Sequence, residues 1–515
     1  MTDTQSPKPK VRWKIITVWI TLLTVIFLYF YISHEGKDRT MQAFAFLIYI
    51  TVSGISILVW WYLFSGLPIR MKVQGLGVPL LFCLLFRCDG FNGDVLPIVK
   101  PRWSPKPDLN LSDVEVAKSD VNQLSFDGYQ LGETDWPDFR GVGRAGVAKE
   151  ANFDSSWLSP KEEWKITIGA GWASFISVRD MCWTLEQLDN MEAVTAYDVK
   201  TGKKIWQRTF TEKFDETFGG PGPRTSPVFE NGRIWTLGGT GLLNCFDAAT
   251  GTPFWKVNIL ENNNAENIEW GMSATPLIYK DLIITLPGGQ KGNSLVAYDK
   301  MTGEKRWSGG NSIASYSSPQ LSIIDGVEQI VVHNGVGVSS HSPEDGKVLW
   351  DYPWTTASKV NVAQPVIYDG NKVILSSGYT VGSVCLEVSQ KDGDWKVSQK
   401  WKSRRLKAKF NALVAKDKYL YGLDEGILTC LDMDTGDRVW KGGRYGYGQM
   451  ILAGDTIVIL SEKGEVVFVK AHPDQHDEIG KFPAIKGKTW QHPIIANGRL
   501  IVRNDREAAC FLLNP

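Results

Sequence analysis

The stretch Ala196–Trp206, AYDVKTGKKIW, holds a short alternating run ending at Asp198, a turn closed by Thr201-Gly202, and a second run that carries Trp206. It recurs as CFDAATGTPFW (Cys245–Trp255), AYDKMTGEKRW (Ala297–Trp307) and CLDMDTGDRVW (Cys430–Trp440), always with eight positions from Asp to Trp. SHSPEDGKVLW (Ser340–Trp350) is a weaker copy, and Cys385–Trp401 is a copy swollen at its turn by QKDGDWKVSQ. Tryptophans 164, 206, 255, 307, 350, 401 and 440 stand about 40 to 50 residues apart, the length of one four-stranded propeller blade. The intervening segments RTSPVFENGRIWTLGG, SATPLIYKDLIITLPGG and AQPVIYDGNKVILSSG each read as two short strands around a polar turn. The pattern predicts an all-β fold of radial blades. First strands near Ala173, Ser226, Ala274, Ser318, Gln364, Ala412, Ile451 and Pro493 make it an eight-bladed β-propeller. The eighth blade runs out of chain after three strands, and KEEWKITI around Trp164 offers the fourth, so the ring is expected to be closed by an N-terminal strand. A blade left unfinished would expose an edge ready to pair with another chain.

The repeat itself is read as structural. Asp198, Asp247, Asp299 and Asp432 can accept backbone N–H groups across the turn, Gly202, Gly251, Gly303 and Gly436 permit a positive φ, and Trp206, Trp255, Trp307, Trp350 and Trp440 bury large rings. Copies far apart on a disc cannot converge on one substrate. Cys245, Cys385, Cys430 and Cys510 take the position that Ala196 and Ala297 hold in other copies, which makes them small core residues too distant from one another to bridge. The six histidines, His34, His333, His341, His472, His476 and His492, show no triad or metal spacing and are read mostly as solvated loop residues.

The 56 basic and 56 acidic residues cancel, so bulk charge steers the chain toward neither nucleic acid nor an anionic surface. The first ninety residues differ in kind. IITVWITLLTVIFLYFYI (15–32) is an uncharged run of 18 residues, and a second spans 43–64. Both are long enough to cross a bilayer, whereas the 14 residues between Lys72 and Arg87 are short for a span. The expected organisation is an α-helical membrane anchor over 1–88, with two to three helices near 15–32, 42–64 and 73–87. An extended linker over 89–135 and the propeller over 136–515 follow. Lys8, Lys10, Arg12 and Lys14 argue for a cytoplasmic N-terminus, and three crossings then put the propeller outside the cytoplasm.

The repeats, with WPDFRGVGRAG (136–146), RYGYGQMILAGD (444–455) and the closing TWQHPIIANGRLIVRNDREAACFLL, resemble the PQQ-type repeat of quinoprotein dehydrogenases and BamB-like assembly proteins. The chain looks most like the membrane-anchored PQQ-repeat proteins of planctomycete-type bacteria. That resemblance implies an inner-membrane protein whose propeller faces the periplasm and acts as a non-catalytic scaffold for an envelope protein partner, with no nucleic acid and no cofactor. The alternatives are a PQQ- and calcium-dependent dehydrogenase and a propeller that binds a small ligand or glycan. Against the dehydrogenase stands the lack of any adjacent cysteine pair. The connections 211–223 and 261–270 are long and both lead from an outer strand to the next inner strand, so both emerge on one face. Arg224, Trp270, Gln364, Asn411, Gln449 and His492, near the first strands, are the candidate binding residues at the channel mouth.

Overall fold

The computed structural model describes residues 13–33, 39–104 and 125–513. Lys8, Lys10, Arg12, His34 and residues 105–124 of the expected linker lie outside them. The chain forms two compact units, one of residues 1–106 with 217–219, the other of 107–216 with 220–515.

The first unit begins with helices Trp13–Ser33 and Arg39–Val59, the latter continued by a π-helical turn over Trp60–Phe64. Both are long and apolar enough to cross a membrane. They pack through Phe27 stacked on Tyr49 and through a Thr24–Tyr49 hydroxyl bond of 2.8 Å. The third helix, Ile69–Leu85, has 17 residues and contains Pro79. The expected linker is not extended at its start: Phe86–Phe91 and Pro97–Pro101 pair as an antiparallel hairpin. Asn92 makes the turn, its side-chain oxygen accepting from the N–H groups of Asp94 and Leu96.

The second unit is an eight-bladed propeller. Blades 1 to 6 are four-stranded antiparallel sheets over 176–210, 228–258, 277–309, 320–353, 366–403 and 414–444. Blade 7 (449–483) gains a short parallel strand, Val147–Ala148, at its inner edge. In blade 8 the strands over 494–512 are joined by Lys161–Thr167, antiparallel to Glu507–Leu512 with Trp164 opposite Cys510. The end of the expected linker also belongs here, since Phe126 is buried against Trp183 and Phe229.

Blades are held together by the repeat. Asp198 Oδ1 accepts from the N–H groups of Lys200 and Thr201 and from the Thr201 hydroxyl, which tightens a turn closed by Gly202 at φ 66°. The indole of the preceding blade sits on that turn: Trp164 packs on Gly202 and donates Nε1–H to Val199 O at 2.8 Å. Trp206 does the same to Gly251 and Ala248 O (3.0 Å), Trp255 to Gly303 and Lys300 O (3.2 Å), and Trp401 to Gly436 and Met433 O (2.8 Å). A Cβ on Gly251 would lie 2.5 Å from the Trp206 ring, so glycine is needed for contact as well as for φ. Each turn is thus a socket for its neighbour's tryptophan. Blade 4 breaks the series. Trp307 packs on Gly346 but its buried Nε1 finds no acceptor, and Trp350 donates instead to Gln329 Oε1 of its own blade.

Cys245, Cys385 and Cys430 stand opposite Trp255, Trp401 and Trp440, in register with Ala196 opposite Trp206. All seven cysteines are free thiols. The histidines differ from expectation: His333 and His341 lie in strands of blade 4 and are fully buried, because the sheet interior there is polar enough to bond their rings.

Candidate binding face around the ring axis

In an antiparallel blade the loop from outer strand to next inner strand and the second-to-third-strand hairpin share one face of the disc, and the Asp-x-x-Thr-Gly turns share the other. The ring axis is filled by residues 136–148, which line the inner strands. Trp136 exchanges backbone bonds with Ser177 of blade 1, and Pro137 O accepts from Phe229 N of blade 2. Arg144 donates to Thr275 O (3.2 Å) and Pro276 O ahead of blade 3, to Pro319 O (2.7 Å) ahead of blade 4, and to both Asp138 oxygens at 3.0 Å. Arg140 donates to Leu413 O ahead of blade 6, Gly146 O accepts from Leu452 N of blade 7, and Phe139 meets the His492 ring edge-to-face at 5.2 Å ahead of blade 8. One thirteen-residue segment therefore ties seven blades at the hub. Burial lowers the Arg140 pKa to about 10 and raises that of Asp138, which the Arg144 guanidinium opposes.

A belt of bonds links the residues that lead into neighbouring first strands, and it absorbs several of the candidates. Gln364 Oε1 accepts from Ser318 N and its Nε2 donates to Ser318 O. Gln449 repeats the arrangement, accepting from Ala412 N and donating to Phe410 O. Asn411 donates to Gly448 O, and His492 N donates to Ser174 Oγ across the seam of blades 8 and 1. Gln364, Asn411 and Gln449 are buried by these contacts, so the structure sets them as straps between blades and not at an open mouth. The side chains start where inner strands crowd the axis, and unpaired backbone groups there are the nearest partners.

One layer further out the same inter-blade loops bring aromatic rings together, half-buried except for the buried Tyr447 and the buried Lys409 beside it. Trp172 and Trp490 lie 4.8 Å apart between centroids, Phe410 meets Trp490 at 5.0 Å, and Phe410 meets Tyr447 at 5.2 Å. Lys488 Nζ lies 4.2 Å from the Trp490 ring and 4.9 Å from that of Trp172, while the Lys409 ammonium lies 4.7 Å from the Tyr447 ring. Trp270 packs on Tyr316 with tilted rings 5.4 Å apart between centroids. The two long loops do lie together: Phe214 from the first packs against Gly271 at the end of the second. Arg224 is clamped over Phe214 at 4.7 Å and bonded to Glu216 Oε1 at 3.1 Å. Of the six candidates, Arg224 and Trp270 belong to this surface. Trp172, Lys409, Phe410, Tyr447, Lys488 and Trp490 were not among them, although KF at 409–410 and KTW at 488–490 mark loops that precede a first strand.

Charge converges on the same point. Burial lowers Lys488 to a pKa of about 8, against the opposing pull of Asp505, Glu216 and Glu462. Burial lowers Arg224 too, with Glu216 restoring part of the shift. Burial raises Tyr316 to about 12. Below this layer Glu192 is buried beside Gly239, whose N–H it accepts at 3.0 Å, and desolvation lifts it to about 7. The result is a half-buried aromatic surface with fixed cations and partnered acids. It suits recognition of a second molecule's surface by rings that lose little freedom on binding.

Eight such blades and their tryptophan sockets make an eight-bladed β-propeller. The profile of the family described as outer membrane protein assembly factor BamB matches residues 190–442. The chain is similar to the outer membrane protein assembly factor BamB of Yersinia pestis, 23% identical over 292 residues, which are 54% of this chain and 70% of that protein. The BamB structure from Moraxella catarrhalis superposes with a TM-score of 0.50 at 15% identity, over 68% of this chain and 99% of that one. A quinohemoprotein alcohol dehydrogenase from Comamonas testosteroni gives 0.53 at 13% identity, over 77% and 83%. At such identities the structural likeness speaks for the fold.

Proposed function

We propose that this chain is a membrane-anchored scaffold that holds an envelope protein on the aromatic face of its propeller. The observation that carries the reading is the convergence of Trp172, Trp270, Phe410 and Trp490 with Arg224 and Lys488 on one face. Likeness to BamB supports a protein partner. The two apolar helices support an anchor. In this reading the third helix completes a third crossing, so the anchor sits in the inner membrane and the propeller in the periplasm.

The dehydrogenase alternative fits the residues poorly. PQQ with calcium needs several free acidic or amide ligands and open space above the axis. Glu216 is bonded to Arg224, and Glu462 accepts from the Trp490 indole. Among the described residues no three His, Cys, Asp or Glu side chains come together as a metal-binding group.

The test is photocrosslinking in native membranes, with a photoreactive residue at Trp270 or Trp490 and, on the opposite face, at Lys200 or Thr435. Scaffolding at the aromatic face predicts one discrete protein adduct from the first pair alone. Equal adducts from both faces, or none from the first pair, overturn it.

A further inference from the structure

Blade 4, whose copy of the repeat is the weakest, also holds a cavity of about 340 Å³ at its seam with blade 3. Gly310, Asn334, Ser339, His341, Asp351 and Tyr352 are among its lining residues. The seam is the one where Trp307 lacks its acceptor. The strand position that carries Tyr197, Phe246 and Tyr298 in blades 1 to 3 carries His341 here, and Ser339 precedes it by two residues on the same face of Gly337–His341.

The hydrogen bonds around this pair fix its protonation. His341 Nδ1 lies 2.9 Å from Gly346 O, which can only accept, so Nδ1 carries the proton. Nε2 is then an acceptor, and it lies 3.0 Å from Ser339 Oγ, which must donate to it. Asn334 Oδ1 accepts from the N–H groups of Val336 and Gly337, which turns its amide nitrogen toward Ser339 Oγ at 2.9 Å. Burial holds the imidazole below its ordinary pKa and therefore neutral at pH 7. Ser339 thus has a base on its proton, a carbonyl orienting that base, and a side-chain N–H beside its oxygen, all at the wall of a cavity.

We propose that Ser339 is an activated nucleophile and that blade 4 hydrolyses small carboxylic esters. Ser339 Oγ forms a bond to the ester carbonyl carbon as its proton passes to His341 Nε2, and Asn334 Nδ2 donates to the oxyanion. The C–O bond to the alcohol breaks as Nε2 returns the proton to it. Water, deprotonated by Nε2, then releases the acid and restores Ser339. A cavity of about 340 Å³ is at the small end of ligand sites, which restricts the acyl group to a short one. The proposed activity is independent of the scaffold reading.

The test uses the full chain in detergent with a fluorophosphonate probe, the adduct located by peptide mass spectrometry, and turnover of p-nitrophenyl butyrate. The proposal predicts an adduct on Ser339 and esterase activity, both absent in Ser339→Ala. It also predicts a fall of about 100-fold or more in kcat/KM and in labelling rate for His341→Gln, the size expected for loss of a general base. A folded wild-type chain with Ser339 unmodified overturns it. So does a Ser339 adduct that forms equally fast in a folded His341→Gln variant. The wild-type labelling decides the matter even where a variant fails to fold.

Discussion

Comparing Trp206→Phe with Trp307→Phe separates the hydrogen bond of the tryptophan socket from its ring packing. Both indoles sit on the glycine of the next blade's turn, Trp206 on Gly251 and Trp307 on Gly346. Trp206 Nε1 donates to Ala248 O at 3.0 Å, whereas Trp307 Nε1 is buried without an acceptor. Phenylalanine removes a bond with a net value of about 0.5–1.5 kcal/mol in the first case. The Ala248 carbonyl keeps a second donor, the Trp183 indole at 3.1 Å, so no buried acceptor is stranded. In the second case the change removes an unsatisfied donor whose desolvation costs about 1–3 kcal/mol. Both lose ring area, and the fully buried Trp206 loses more. Trp206→Phe should therefore be less stable than Trp307→Phe by about 1.5–4.5 kcal/mol. Urea unfolding of the full chain in detergent, followed by far-UV circular dichroism, measures the difference. Values within about 0.5 kcal/mol of each other would refute the assignment of a stabilising bond to one socket and a penalty to the other.

Replacing Arg144 with Ala should cost about 3 kcal/mol, because it strands the half-buried Asp138 and the carbonyls of Thr275, Pro276 and Pro319. Adding Asp138→Asn should recover part of that loss in the urea midpoint. Glu192 titrates at about 7 when folded against an ordinary 4.5, so its folded pKa is raised and the unfolded chain sheds the proton first as pH rises. Its contribution is fully favourable below about pH 4.5 and is lost as pH rises through about 7, at most about 3.5 kcal/mol at about 1.4 kcal/mol per unit. Glu192→Gln should match wild type at low pH and exceed it at pH 8, and an unchanged pH slope of the midpoint would count against this. Deleting Lys161–Thr167 should bare the edge of Glu507–Leu512 and turn a monodisperse chain into oligomers by light scattering. A deletion variant that stays monodisperse would show that this strand is not what guards the edge.

The repeat was legible because its constraint is local: a carboxylate three residues before a Thr N–H, a glycine at positive φ and an indole eight positions on can be read from spacing alone. What spacing did not reveal is that Trp206 serves the turn of the next blade and not its own, a relation between residues 42 positions apart. The hairpin over 86–101 had its signal in Asn92-Gly93, which the surrounding prolines obscured. The candidate site was legible only in its address. The loops between outer and inner strands do build the face, but Gln364 and Gln449 turned inward to backbone partners while Lys409, Trp172 and Trp490 met across blades. Which of two polar loop residues finds a backbone partner depends on neighbours hundreds of positions away.

The hub segment 136–148 also has a consequence in time. It leaves the ribosome before any blade exists, yet its arginines need carbonyls at 275, 276, 319 and 413, and its strand needs 452–453. The chain behind it must be almost complete before those charges can be buried, and loop closure over such separations is slow. Residues made before any blade are thus among the last to be secured, and a stalled or truncated chain would carry an unsatisfied, arginine-bearing hub as the mark of an unfinished ring.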